Sequence, residues 1–96
     1  MKEITEEKLD KYFKITEEAT NKIKIKIPKN VDLNEVAKDL LDLSNRYKKD
    51  AHYFKEKGDF VNAFAAINYA HAFLDAGARL KVFDVKDSKL FMVDEK

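Results

Sequence analysis

The stretch Gly58 to Asp84, GDFVNAFAAINYAHAFLDAGARLKVFD, decides how this chain folds. At about 100° per residue, Phe60, Phe64, Ile67, His71, Leu74 and Ala78 follow the three-and-four spacing of one helix face. Val61, Ala65, Tyr69, Phe73, Ala76 and Leu80 make a second apolar face beside it. A helix apolar over so wide an arc packs against more than one neighbour. Its many small residues, Gly77 among them, permit close approach. Gly58 is suited to ending a preceding helix with positive φ, and Asp59 to capping the new one.

Working outward, Asp32 followed by Glu35 has capping-box spacing, and Leu33, Val36, Ala37, Leu40, Ser44, Tyr47, Ala51 and Phe54 hold one helical face. Only Gly58 and Asp59 separate this helix from the next, so the two must fold back as an antiparallel pair. Further out, Thr5 is placed to cap a first helix, with Glu6 and Glu7 at the positive end of its dipole. Leu9, Tyr12, Phe13, Thr16, Ala19, Thr20 and Ile23 form a narrow stripe along it. The segment IKIKI, Ile23 to Ile27, changes the period from 3.6 to 2. It reads as extended chain or as a last helical turn, and Pro28 stops a helix by Ile27.

The expectation is therefore one all-α domain, a three-helix up-and-down antiparallel bundle. Helices run from about 5 to 24, 33 to 57 and 60 to 82, and a short C-terminal tail, 85–96, packs on them. The tail carries Leu90, Phe91, Met92 and Val93 in a row. These residues fold back over an open end of the bundle, pair with the IKIKI segment, or seal a homodimer.

Composition bounds the function. Of 96 residues, 39% are charged, yet the net charge is +1, so the surface is of mixed sign and lacks the field of a nucleic-acid binder. The absence of cysteine excludes disulfides and thiolate chemistry. A cytoplasmic protein is expected, since small secreted domains usually carry disulfides. The charged start, MKEITEEKLDKYF, does not resemble a signal peptide, and no apolar run is long enough for a membrane. Lysine dominates the cations, arginine is nearly absent and glutamine is missing, a thermophile-like balance.

Asn68, His71, Asp75 and Arg79 interrupt the apolar surface at spacings of three, four and four, which puts them on one stripe. The plain reading is a solvent face; the sharper one is a polar groove that binds a ligand or partner. Tyr12, Tyr47, Tyr53 and Tyr69 need hydroxyl partners if buried, and Asp75, Asn68 and Arg79 are available for a network that holds helices together. No nucleophile with a base, glycine-rich phosphate loop or paired histidine metal site is evident, so neither cofactor nor metal is expected. Arg46 and His52, with five residues between them, have the spacing of the Arg–His motif of HEPN ribonucleases. That resemblance would imply metal-independent RNA cleavage across a dimer, with His52 as acid–base and Arg46 on phosphate.

The segment Tyr53 to Asp84, YFKEKGDFVNAFAAINYAHAFLDAGARLKVFD, resembles the hallmark of a small archaeal family, domain of unknown function 357. The ITEEKL-like start, the proline-containing loop and the long second helix are also similar. His71-Ala72-Phe73 stands where a glycine and an aromatic are expected. The resemblance implies a three-helix bundle from an archaeon and brings no activity, substrate or cofactor. Three readings of function follow. The first is a non-enzymatic interaction module for a protein partner or a second copy, motivated by the apolar surplus of helix three and the tail. The second is a HEPN-like RNA-binding or ribonuclease domain using Arg46 and His52. The third is small-ligand binding along Asn68, His71, Asp75 and Arg79.

Overall fold

The computed structural model describes residues 3–93, and these fold into three helices with no strand among them. Helix α1 spans Glu6–Lys22, α2 Leu33–Glu56 and α3 Phe60–Arg79. Each start is fixed by the side chain that the sequence points to. Thr5 accepts from the Lys8 amide, Asp32 from the amides of Asn34 and Glu35, and Asp59 from that of Asn62. Such caps satisfy amides that have no partner within the helix.

The α2–α3 turn is a Schellman closure. Gly58 takes φ 75°, its amide donates to the Lys55 carbonyl, and the Asp59 amide donates to that of Phe54. Helix α3 ends in the same way, but with a lysine in the glycine's place. Lys81 has φ 63°, the Lys81 amide donates to Ala78 and the Val82 amide to Gly77.

Helices α2 and α3 pack along a seam of small residues. Ser44 and Ala51 on α2, with Ala66, Ala70, Gly77 and Ala78 on α3, are the buried residues of the described chain. Small side chains let the two backbones approach, and the larger side chains flank the seam. On one flank Tyr47, Tyr69 and Phe73 form a cluster, with ring centroids 4.5 Å apart for Tyr47–Tyr69 and 5.2 Å for Tyr69–Phe73. Edge-to-face pairs of this kind add about 1 kcal/mol each beyond area burial. Tyr47 and Tyr69 are held in this ring cluster, Tyr53 lies against Phe54, and Asp75 is engaged by the Met92 amide of the tail.

Helix α1 stands beside the hairpin without helix-to-helix packing, and none of its residues is buried. Tyr12 alone reaches over, onto the groove lined by Tyr47, Phe54, Asn62 and Tyr69. The segment after α1 is extended: Ile23 has φ −72° and ψ 132°, and Ile25 is 90% exposed. Of the two readings of Ile23 to Ile27, extended chain is the one observed, and no strand partners it among the described residues. The dimensions reflect this stand-off. The Cα radius of gyration is 16.0 Å, against about 12.5 Å for a compact domain of this length. The accessible surface is 8719 Å², against about 5,700 Å² for a compact monomer of this mass.

The tail folds back on α3 over its described part, up to Val93; residues 94–96 lie outside the described residues. Phe83 sits directly against Gly77, where a Cβ would overlap its ring. Asp87 then makes a tight turn, its carbonyl accepting from the Leu90 and Phe91 amides and its Oδ1 from the Lys89 amide.

Candidate functional site

Asn68, His71, Asp75 and Arg79 do share the side of α3 that faces away from α2, as their spacing requires. The tail occupies the middle of that stripe. His71 Nε2 lies 2.7 Å from the Leu90 carbonyl oxygen. A carbonyl can only accept, so Nε2 carries a proton and donates it there. Asp75 Oδ1 accepts from the Met92 amide at 2.9 Å and lies 3.6 Å from His71 Nε2. The Phe91 ring stacks on the imidazole, with centroids 6.4 Å apart and planes 24° from parallel. His71 and Asp75 therefore act together, as the seat of the 90–92 backbone. A carboxylate receiving a backbone N–H and an imidazole giving one are suited to holding an extended peptide; here the peptide is the chain's own.

The outer members of the stripe differ. Asn68 is exposed. Arg79, the last residue of α3, lines an open groove of about 650 Å³ with Lys81, Phe83, Asp84, Val85 and Met92. No tyrosine lies on its wall. The four residues thus do not converge on one concavity: two bind the tail, one borders the groove beyond it and one is open to solvent.

A second feature, not singled out by sequence, is a shallow groove of about 310 Å³ on the flank of the hairpin opposite the tyrosines. Ala51, His52 and Lys55 of α2 line it with Phe60, Ala63, Phe64 and Ile67 of α3. Its floor is small and apolar, and its rim is aromatic. Phe60 and Phe64 are 67% and 68% exposed. The signal for it in the sequence is the three-and-four spacing of Phe60, Phe64 and Ile67, a spacing that a buried helix face shares.

A family model for proteins of unknown function, DUF357, matches residues 11–83, more than half of the chain. The chain belongs to the DUF357 family. No curated protein and no solved structure matches it.

The remaining candidate residues of this DUF357 chain lie apart. Arg46 forms an exposed ion pair with Asp42, 2.9 Å between Nη2 and Oδ2. His52 is six residues on, about 120° around the helix, and borders the apolar groove. The two side chains leave α2 in different directions. Among the described residues, no cluster of three or more histidine, cysteine or acidic side chains is placed to hold a metal ion. Among the described residues, no helix is long and apolar enough to cross a membrane. One carboxyl has a distinct environment: the Asn62 side-chain amide, and then its backbone amide, hold Asp59 below its ordinary value. Asn62 Nδ2 lies 2.6 Å from Asp59 Oδ2. This is a helix cap, remote from the stripe.

Proposed function

We propose that the protein is a non-enzymatic helical interaction module, whose apolar faces are completed by a protein partner or a second copy of the chain. The observation that carries this reading is the imbalance of burial. Among the described residues, the buried apolar side chains are all alanines, while Leu9, Phe13, Ile23, Ile25, Phe60, Phe64 and Leu90 are exposed. The surplus over a compact monomer is about 3,000 Å². Single exposed apolar residues are ordinary, but contiguous faces of them mark association surfaces.

The competing readings have weaker support. An Arg46–His52 ribonuclease centre needs the two side chains to converge, whereas Arg46 is paired with Asp42 and His52 borders the apolar groove. Ligand binding along the α3 stripe needs a shared concavity, and the tail fills the His71–Asp75 portion of it. The cysteine-free, lysine-rich and glutamine-free composition supports a cytoplasmic protein with a thermophile-like surface.

Native mass spectrometry of the protein isolated from its own cells tests this reading. A mass above the monomer, from a second copy or a partner chain, is the expected result. A bare monomer at cellular concentration overturns it.

A further inference from the structure

The extended segment 23–27 between α1 and α2 has bare strand edges, and we infer that it pairs with the edge strand of a protein partner that alternates acidic and apolar residues. This inference rests on the interaction reading above and names the kind of partner.

The backbone makes the first case. Among the described residues, no amide or carbonyl of residues 24–31 has a hydrogen-bond partner. Extended backbone with free donors and acceptors is the template that strand addition uses. Pro28, which has no N–H, ends the pairing stretch on one side, and the Ile23 amide, donating to Thr20, closes α1 on the other.

The side chains make the second. In strand geometry successive residues point to opposite faces, so Ile23, Ile25 and Ile27 share one face and Lys24 and Lys26 the other. The three isoleucines are 71%, 90% and 76% exposed. The chain's other apolar strand candidate, 90–93, does not cover them, because His71 and Asp75 hold its backbone on α3.

Charge selects the occupant. No acidic residue lies between Glu18 and Asp32, while Lys22, Lys24, Lys26 and Lys29 do. Lys22 is paired with Glu18; Lys24, Lys26 and Lys29 have no ion pair among the described residues. A second copy is a poor partner. Antiparallel pairing about Ile25 sets Lys24 opposite Lys26 twice, which repels. A one-residue shift relieves the lysines but puts isoleucine and lysine on the same face. A strand with Asp or Glu at alternate positions and apolar residues between them satisfies both faces. An anionic lipid surface or a nucleic acid would answer the lysines, but neither offers a strand edge to the free amides and carbonyls.

The test uses the full chain, isotope-labelled for NMR, and a disulfide-closed hairpin peptide with one strand reading Glu-Val-Glu-Val-Glu. At about 1 mM peptide, amide exchange is expected to slow about tenfold or more at alternate residues only, either Ile25 and Ile27 or Lys24 and Lys26. Replacing both lysines, Lys24→Glu with Lys26→Glu, should weaken binding about tenfold or more. The same variant should gain affinity for a hairpin reading Lys-Val-Lys-Val-Lys. Both side chains are exposed, so helicity by circular dichroism should not change. Absence of binding at 1 mM, or binding with no alternation in exchange, overturns strand pairing. Equal binding to phosphatidylglycerol vesicles or to an RNA oligonucleotide, lost in the double variant, overturns it in favour of a polyanion. Native mass spectrometry of the cellular protein then decides separately whether the interaction reading survives, through another face.

Discussion

Phe83 lies on Gly77 so closely that a Cβ at position 77 would overlap its ring. The backbone cannot easily retreat, because the Val82 and Phe83 amides both donate to the Gly77 carbonyl, at 3.0 and 3.3 Å. Gly77→Ala gains about 1 kcal/mol of helix propensity, yet it must expel the ring from its seat at about 1–3 kcal/mol. The seat prevails: Gly77→Ala is expected to destabilise by about 1 kcal/mol in urea unfolding followed by circular dichroism. Removing the ring should restore the propensity gain, so adding Gly77→Ala to a Phe83→Ala background should stabilise. A destabilising effect of equal size in both backgrounds would show that Phe83 is not the obstacle.

The small residues of α3 announced close approach, and in this case the approaching group is the chain's own tail. Sequence specified what is local. Thr5, Asp32 and Asp59 cap their helices because a side-chain oxygen and an amide three residues on are joined by covalent geometry. The α2–α3 hairpin was equally legible, since a two-residue connection leaves no other route. What depended on distant contacts was not legible. Nothing in Leu9, Tyr12 and Phe13 tells whether their stripe is covered by this chain or by another. The polar stripe was visible on α3, but its division between tail seat and groove edge depends on where Leu90 and Met92 come to lie, about twenty residues on. Lys81 carried no turn signal, because a lysine with positive φ is held there by the helix end and not by its own preference.

That lysine yields a second prediction. Positive φ costs a residue with a Cβ about 1 kcal/mol relative to glycine. Lys81→Gly should therefore stabilise the fold by about that amount, although glycine adds some unfolded-state entropy. Gly58→Ala, at the matching position after α2, should destabilise by about 1 kcal/mol; open space around its Cα leaves conformation as the only cost. Thermal unfolding of the two variants should shift the midpoint in opposite directions. Equal shifts of one sign would refute the shared turn geometry.

His71 and Asp75 are predicted to govern whether the tail stays docked, with little effect on the hairpin. Asp75→Ala removes the acceptor for the Met92 amide, and His71→Ala removes both the donor to Leu90 and the ring beneath Phe91. Each hydrogen bond at a partly open site contributes about 1 kcal/mol, so undocking should become about fivefold more frequent. Limited trypsin cleavage after Lys86 and Lys89 reads this directly, and should speed up by the same factor. Exchange of the amides at the α2–α3 seam should not change. Seam amides that exchange faster in Asp75→Ala would mean that the tail supports the whole fold.

Asp59 gives the fold an acid-sensitive cap. Its carboxyl is held below its ordinary value, first by the Asn62 side chain and then by the Asn62 backbone amide. The unfolded chain has no such contacts, so the unfolded state binds the proton more readily. The charged cap therefore stabilises the fold fully above the ordinary carboxylate range. That contribution is lost as pH falls through about 4 and on through the lower folded value. Asp59→Asn keeps a capping oxygen that cannot titrate in this window. Against wild type, its stability should fall less steeply between about pH 4.5 and pH 2.5, with the two curves converging at the acid end. Parallel curves across the window would place the acid sensitivity in other carboxylates and leave the Asp59–Asn62 contact without a role in it.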